Sequence, residues 1–219
     1  MRRAIHNSVD VVLCTPHGRQ LAVLLVPGGS KRERWSLPWT PVAADGALDA
    51  AAARTVLGAA GVRAGWLTQA GAFAEGARHP GGAAISVAYV GVTPARTAPP
   101  PGGARWFPAG KLPPLAPRQR AIVTAALAEL RERMDRAPVA FHLLGRTFTL
   151  GDLQAVYELL LGRRLHKASF RRALTAAFLV APTDEWRSEG RGRPAQLFRY
   201  APRTRGGGRG GVRFELLRG

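Results

Sequence analysis

Cysteine is almost absent from this 219-residue chain. Its one thiol, Cys14, excludes an internal disulfide framework and any zinc site built from several cysteines. Acids are scarce as well: 14 Asp+Glu stand against 32 Lys+Arg, a formal net charge of +18. Lysine occurs only at Lys31, Lys111 and Lys167, so 29 of the cations are arginine. Nothing approaches the roughly 18 uninterrupted apolar residues that cross a bilayer. The opening Met1-Arg2-Arg3-Ala4-Ile5-His6 leads into an alternating segment, not an apolar leader with a small-residue cleavage site. A cytoplasmic protein, neither exported nor held in a membrane, is expected. There is also no Ser/His/Asp arrangement, no phosphate-binding Gly-x4-Gly-Lys-Ser/Thr loop and no metal-spaced His pair. No cofactor and no metal ligands are expected.

What is present is ordinary core material and an excess of cations. The apolar fraction of 46% suits one large domain or two small ones. A GC-rich genome accounts for arginine in place of lysine, but not for 18 uncompensated charges. Such an excess repels itself unless a polyanion offsets it, and nucleic acid is the expected partner.

From Asn7 to about Arg105 the chain reads as mixed strand and helix. Val9–Leu13 and Leu21–Val26 are apolar, β-branched runs flanking Thr15-Pro16-His17-Gly18, a hairpin signature. Leu48 to Ala60 is Ala-rich and bounded by Asp45-Gly46 and Gly61, which predicts a helix. Ala83 to Val92 is the strongest strand, and Pro94 to Gly103 a loop. Val123, Leu127, Leu130 and Met134 then make an amphipathic stripe over 118–136, which serves as a connector helix (117–136) or as the last helix of the first domain.

Beyond Ala140 the pattern changes. Thr149-Leu150-Gly151-Asp152 reads as a helix start with a hydroxyl cap and an acid in the first turn. Leu153, Val156, Tyr157, Leu160 and Leu161 lie on one face. A break at Gly162-Arg163-Arg164-Leu165 precedes a second helix, about Lys167 to Ala177, and two short strands near Phe178–Trp186 and Ala195–Tyr200 follow. Helix, turn, helix and a hairpin with a basic tip is the order of a winged helix-turn-helix. The expected division is 1–136, 137–202 and a Gly- and Arg-rich tail over 203–219, which reads as mobile.

On the second helix Phe170, Leu174 and Ala177 share the buried side; Ala168, Arg172 and Thr175 oppose them, flanked by Ser169 and Arg171. A small residue allows close approach, and guanidinium groups pair with phosphate or with guanine. His166 and Lys167 add cations at the positive end of the helix dipole. A solvated basic face is the commonplace alternative. Arg187, Arg191 and Arg193 around Gly190 and Gly192 suit a minor groove or the backbone. After Ala140 the chain holds 15 Lys+Arg and 6 Asp+Glu, the same net +9 that the first 140 residues spread over nearly twice the length.

Leu37-Pro38, the 48–60 helix and Ala60-Gly61-Val62 resemble the Nudix box region, G-x5-E-x7-R-E-U-x-E-E-x-G-U with U a bulky apolar residue. Setting its closing Gly-U on Gly61-Val62 puts its arginine on Arg54, its internal U on Val56 and its opening glycine on Thr40. The four glutamate positions fall on Gly46, Thr55, Gly58 and Ala59, and all four carboxylates are missing. Asp45 and Asp49, the only acids between Thr40 and Val62, occupy no ligand position. Nudix enzymes hold a divalent cation with those glutamates, because hard cations need several anionic oxygens. Efficient diphosphate hydrolysis is therefore not expected.

Ile85–Tyr89, Phe148–Glu158, Leu161-Gly162, Phe170-Arg171-Arg172 and Gly192-Arg193-Pro194-Ala195 are similar, in order and spacing, to the Nudix-related transcriptional regulators of the NrtR family. The resemblance extends to about Tyr200. It implies an α+β chain: a Nudix-like α/β/α sandwich followed by a winged helix-turn-helix. It further implies a homodimeric repressor of palindromic double-stranded operators, whose inactive Nudix-like domain binds a nucleotide-sugar or sugar-phosphate effector such as ADP-ribose. Candidate effector contacts are Arg32, Arg34, Trp35, Arg54, Arg78 and His79: arginine for phosphates, tryptophan for a base. Ordinary packing is the commoner role for Trp35 and Trp39, a plain loop position for His79 and His17, and a contact within the fold for Arg54. The rival is a metal-dependent Nudix hydrolase of ADP-ribose-like substrates with displaced ligands.

Overall fold

The computed structural model describes residues 7–29, 34–42, 46–74, 78–95, 98–188 and 194–202. The chain is α+β and divides into two compact units, Met1–Glu129 and Leu130–Gly219.

The first unit is organised around β1 (Asn7–His17), whose residues from Ser8 to Thr15 are all buried. A strand so apolar on both faces belongs in the middle of a sheet. β6 (Ser86–Val92) runs parallel along one edge of it, from Ser8↔Ser86 to Cys14↔Val92. The other edge is shared: β4 (Trp39–Val42) pairs with Asn7–Asp10, and β2 (Gln20–Pro27) with Cys14–His17. β2 also carries β3 (Trp35–Ser36) and β7 (Arg105–Pro108), and β5 (Trp66–Phe73) pairs with β6. The turn is tighter than the sequence suggests. His17 pairs with Gln20, so Thr15 and Pro16 belong to β1 and only Gly18, at φ 59°, and Arg19 make the reversal.

α1 (Leu48–Ala60) has the bounds expected from its flanking glycines. Gly61, at φ 67°, caps it and donates its N–H to the Leu57 carbonyl at 2.9 Å, a left-handed conformation that costs glycine least. Its face of Ala51, Ala52, Val56 and Ala60 packs on Val9, Val11, Leu13 and Tyr89. The small side chains let the helix lie close to the sheet. α2 (Pro117–Glu132) and a short 3-10 turn, Arg133–Asp135, follow.

In the second unit α3 (Leu150–Leu161) begins as expected. Thr149 accepts from the Asp152 N–H at 3.0 Å and returns its own N–H to the Asp152 carboxylate at 2.8 Å, a complete capping box. α4 (Lys167–Ala177) follows a short turn; β8 (Val180–Arg187) and β9 (Ala195–Tyr200) then form the hairpin, joined by Phe148 bridging to Phe198. Tyr157, Phe170, Leu153 and Leu160 are buried between the helices, with the Tyr157 and Phe170 rings 5.4 Å apart. Phe178 does not open the first strand. It caps α4 in the left-handed region, at φ 50°, and is 59% exposed.

Candidate nucleic-acid interface and ligand pocket

α4 buries Phe170, Ala173 and Leu174. Lys167, Ala168, Arg171, Arg172 and Thr175 are exposed together with His166, and Ser169 is half-buried. The alternation of buried and exposed positions therefore sets the basic groups on one accessible side, with Ala168 between them. His166 sits at the N-cap without a side-chain bond that caps the backbone of the first turn; its Nδ1 lies 3.3 Å from the Ser169 hydroxyl. The N–H groups of that turn add positive character beside Lys167. Ala177, expected on the buried side, is only half-covered, and Ala173 takes its place.

Two side chains of α3 set how α4 leaves the turn. The Glu158 carboxylate accepts the Leu165 N–H at 2.9 Å and the Gln154 amide at 3.0 Å, and the same amide donates to the Leu165 carbonyl at 3.0 Å. The backbone entering α4 is thus gripped on both its donor and its acceptor. Sequence reasoning missed this role. Its signal was an i, i+4 Gln/Glu pair on the helix before the turn.

Arg187 is engaged within the unit: its Nη2 donates to both oxygens of Asp152, at 2.8 and 2.7 Å, so the guanidinium ties the hairpin to the start of α3. Burial pushes the Asp152 carboxyl up. The hydrogen bonds from Arg187 and Thr149 and the Arg187 charge outweigh that and hold it below the ordinary carboxylate value. Arg191 and Arg193 lie outside the described residues, as does Arg32 of the effector set. Arg146 and Arg164 are exposed cations of this unit that the sequence reading passed over.

The first unit contains a cleft of about 510 Å³ between β4 and α1. Its walls include Trp39, Thr40, Gly46, Arg54, Thr55, Gly58 and Ala59. These are the positions on which the box's opening glycine, its arginine and its four glutamates fall, with Trp39 added. Of the described candidate effector residues only Arg54 lines the cleft. Trp35 is taken up by packing, its ring edge-on to Phe107 at 4.7 Å and beneath Arg105 at 5.7 Å. Arg34 and Arg78 are exposed. His79 lies in the loop before β6, as expected, but is closed to a ligand. It is 2% exposed, bonded through Nε2 to Asp10 at 3.0 Å and through Nδ1 to the Gly81 N–H at 3.0 Å.

Among the described residues the walls of this cleft offer a divalent cation no carboxylate, and no group of three or more His, Cys, Asp and Glu could hold a metal ion. Asp49 of α1 instead accepts the Tyr89 hydroxyl at 2.5 Å. Burial, then the bond to Asp49 and its charge, push that phenol up to about 12, so it stays a donor at neutral pH.

Residues 140–200 match the family model described as the NrtR DNA-binding winged helix domain. The crystal structure of Shewanella oneidensis NrtR complexed with a 27mer DNA is 29% identical, with a TM-score of 0.76 over 89% of this chain and 93% of that one. Over most of its length the chain is similar to NrtR. The "ADPR responsive transcriptional repressor NtrR" of Acinetobacter baylyi is 28% identical over 205 residues, 89% of this chain and 81% of the relative. A MutT/nudix family protein from Enterococcus faecalis, 20% identical, has the same fold, with a TM-score of 0.70 over 92% of this chain and 88% of that one. The NrtR-like chain thus joins a Nudix-like unit to a winged helix. Among its described residues no helix is long and apolar enough to cross a membrane.

Proposed function

We propose that this NrtR-like chain is a cytoplasmic transcriptional repressor that binds double-stranded DNA and answers to a small anionic metabolite of the ADP-ribose class. The observation that carries the reading is the exposed basic side of α4, with Arg171 and Arg172 beside Ala168. As a homodimer on a palindrome, two copies of α4 enter major grooves about 34–36 Å, or a multiple of that, apart. His166, Lys167, Ser169 and Thr175 complete the contact to phosphate and base edges, and Arg191 and Arg193 of the hairpin tip reach the backbone. The relatives' names, a DNA complex and an ADP-ribose-responsive repressor, support both halves of the reading.

The cleft is the effector site. Arg54 offers a guanidinium to a phosphate, and Trp39 an aromatic face. Removing four carboxylates from such a site removes the repulsion an anion would meet without a metal, and also the means of activating water. The chain therefore binds and does not hydrolyse, and the hydrolase reading gains nothing from walls that lack carboxylates.

Anisotropy with a duplex selected by the chain from a random library tests the reading. Arg172→Ala should cost roughly 1–3 kcal/mol on the selected duplex and much less on scrambled DNA. Equal loss on both would refute base reading by α4. Release of ribose 5-phosphate from ADP-ribose at enzyme-like rates would refute the non-hydrolytic assignment.

A further inference from the structure

The buried polar groups of the first unit form a closed circuit between the cleft and α2. Trp39, in the cleft wall, meets the His79 ring edge-on at 4.8 Å and 85°. Gly81 donates its N–H to Nδ1 of His79, so that nitrogen holds the lone pair and Nε2–H is left to donate to Asp10. Gln119, in the first turn of α2, donates to the same Asp10 oxygen at 3.3 Å. Its carbonyl accepts the Leu37 N–H at 3.1 Å, two residues before Trp39. The circuit thus returns to its origin. Asp10, His79, Ser36 and Gln119 are all at most 3% exposed, where an unmatched polar group is costly and a satisfied network is stiff.

Two further contacts make the circuit responsive to the Trp39 ring. A Cβ built on Gly81 would lie 2.1 Å from that ring, so the ring rests directly on the backbone of the 79–82 turn. Arg118, next to Gln119, donates to the carbonyls of Ala83 and Ala84 at 2.7 and 3.2 Å, just past that turn. A ligand that shifts Trp39 therefore pushes on segments which two consecutive residues of α2 grip. α2 runs on without a break through Leu130, where the second unit begins.

We propose that Gln119, seconded by Arg118, is the positioning residue through which occupation of the cleft reaches α2, and with it the DNA-binding unit. The proposal rests on the reading of the cleft as the effector site. Gln119 is fully buried and is not among the residues lining the cleft.

The test uses the full chain, ADP-ribose and the selected duplex, with each binary affinity and their coupling measured. Coupling of this kind is typically about 5- to 150-fold. Gln119→Met, which keeps length but loses the amide's bonds to Asp10, Leu37 and Ser36, should keep each binary affinity within about threefold, while ADP-ribose changes duplex affinity less than about twofold. Gly81→Ala, which displaces the ring, should move duplex affinity without ligand at least about fivefold, in the direction ADP-ribose moves the wild type. Full coupling in Gln119→Met, or wild-type duplex affinity in Gly81→Ala, overturns the proposal. Circular dichroism melts check folding; should Gly81→Ala not fold, Trp39→Phe replaces it under the same criterion. If ADP-ribose does not bind the wild type, the effector assignment fails, and the ligand-free Gly81→Ala arm decides by magnitude alone: a change of at least about fivefold in either direction supports the circuit, and wild-type duplex affinity overturns it.

Discussion

Arginine 187 has the charge of a DNA contact and the partners of a strut. Its two bonds to Asp152 join the hairpin to the capping box of α3, so loss of either partner loosens both. The Asp152 carboxyl is held below its ordinary 3.8. A group depressed in the folded state adds stability above its unfolded value, and that contribution is lost as the pH falls through the folded one. Asp152→Asn should therefore lower the denaturant midpoint at neutral pH, and the two chains should converge well below pH 3.8. A difference that is the same at both pH values would remove the ion pair as its cause. None of this was legible in the sequence, because Arg187 and Asp152 lie 35 residues apart. His79 escaped for the same reason, its partner Asp10 being 69 residues away. The α4 cations were legible, since helical spacing alone separates Arg171 and Arg172 from Phe170 and Leu174.

Helices α1, α3 and α4 were read with their observed bounds, the first two because their ends carry local chemistry. Gly61 and Gly162 both stop a helix at φ 67°, and Thr149 starts one. β5 and β7 carried no such marks. β7 is four residues, Arg105–Pro108, and the alternation of β5 is broken by a bulge between Gln69 and Gly71. At this scale the Glu158 grip on the turn is the feature that matters for function. Glu158→Ala leaves the Leu165 N–H without its acceptor, which should cost about 1–3 kcal/mol. It should also weaken duplex binding, because the turn sets how α4 is presented. A melt that shifts while duplex affinity stays at the wild-type value would show that the turn does not position α4.

Across the whole molecule, net charge and the eroded box are the most informative features of the sequence. A charge of +18 implies a polyanion, and the missing glutamates turn out to be missing from the walls of one cleft. The position of that cleft, and the part Trp39 plays in its wall, depend on how β4 and α1 come together in three dimensions, which no local pattern encodes. A site without carboxylates has no use for a divalent cation, so ADP-ribose affinity by calorimetry should be the same, within about twofold, in Mg²⁺ and in EDTA. A requirement for metal would return the cleft to the hydrolases.

In the proposed function a metabolite held in the first unit controls the grip of α4 on DNA. Anisotropy of the labelled selected duplex, titrated with the full chain at fixed salt, tests it most directly. Saturating ADP-ribose should release the duplex, raising its Kd at least about fivefold. A duplex affinity unchanged by ADP-ribose that calorimetry shows to be bound would contradict it.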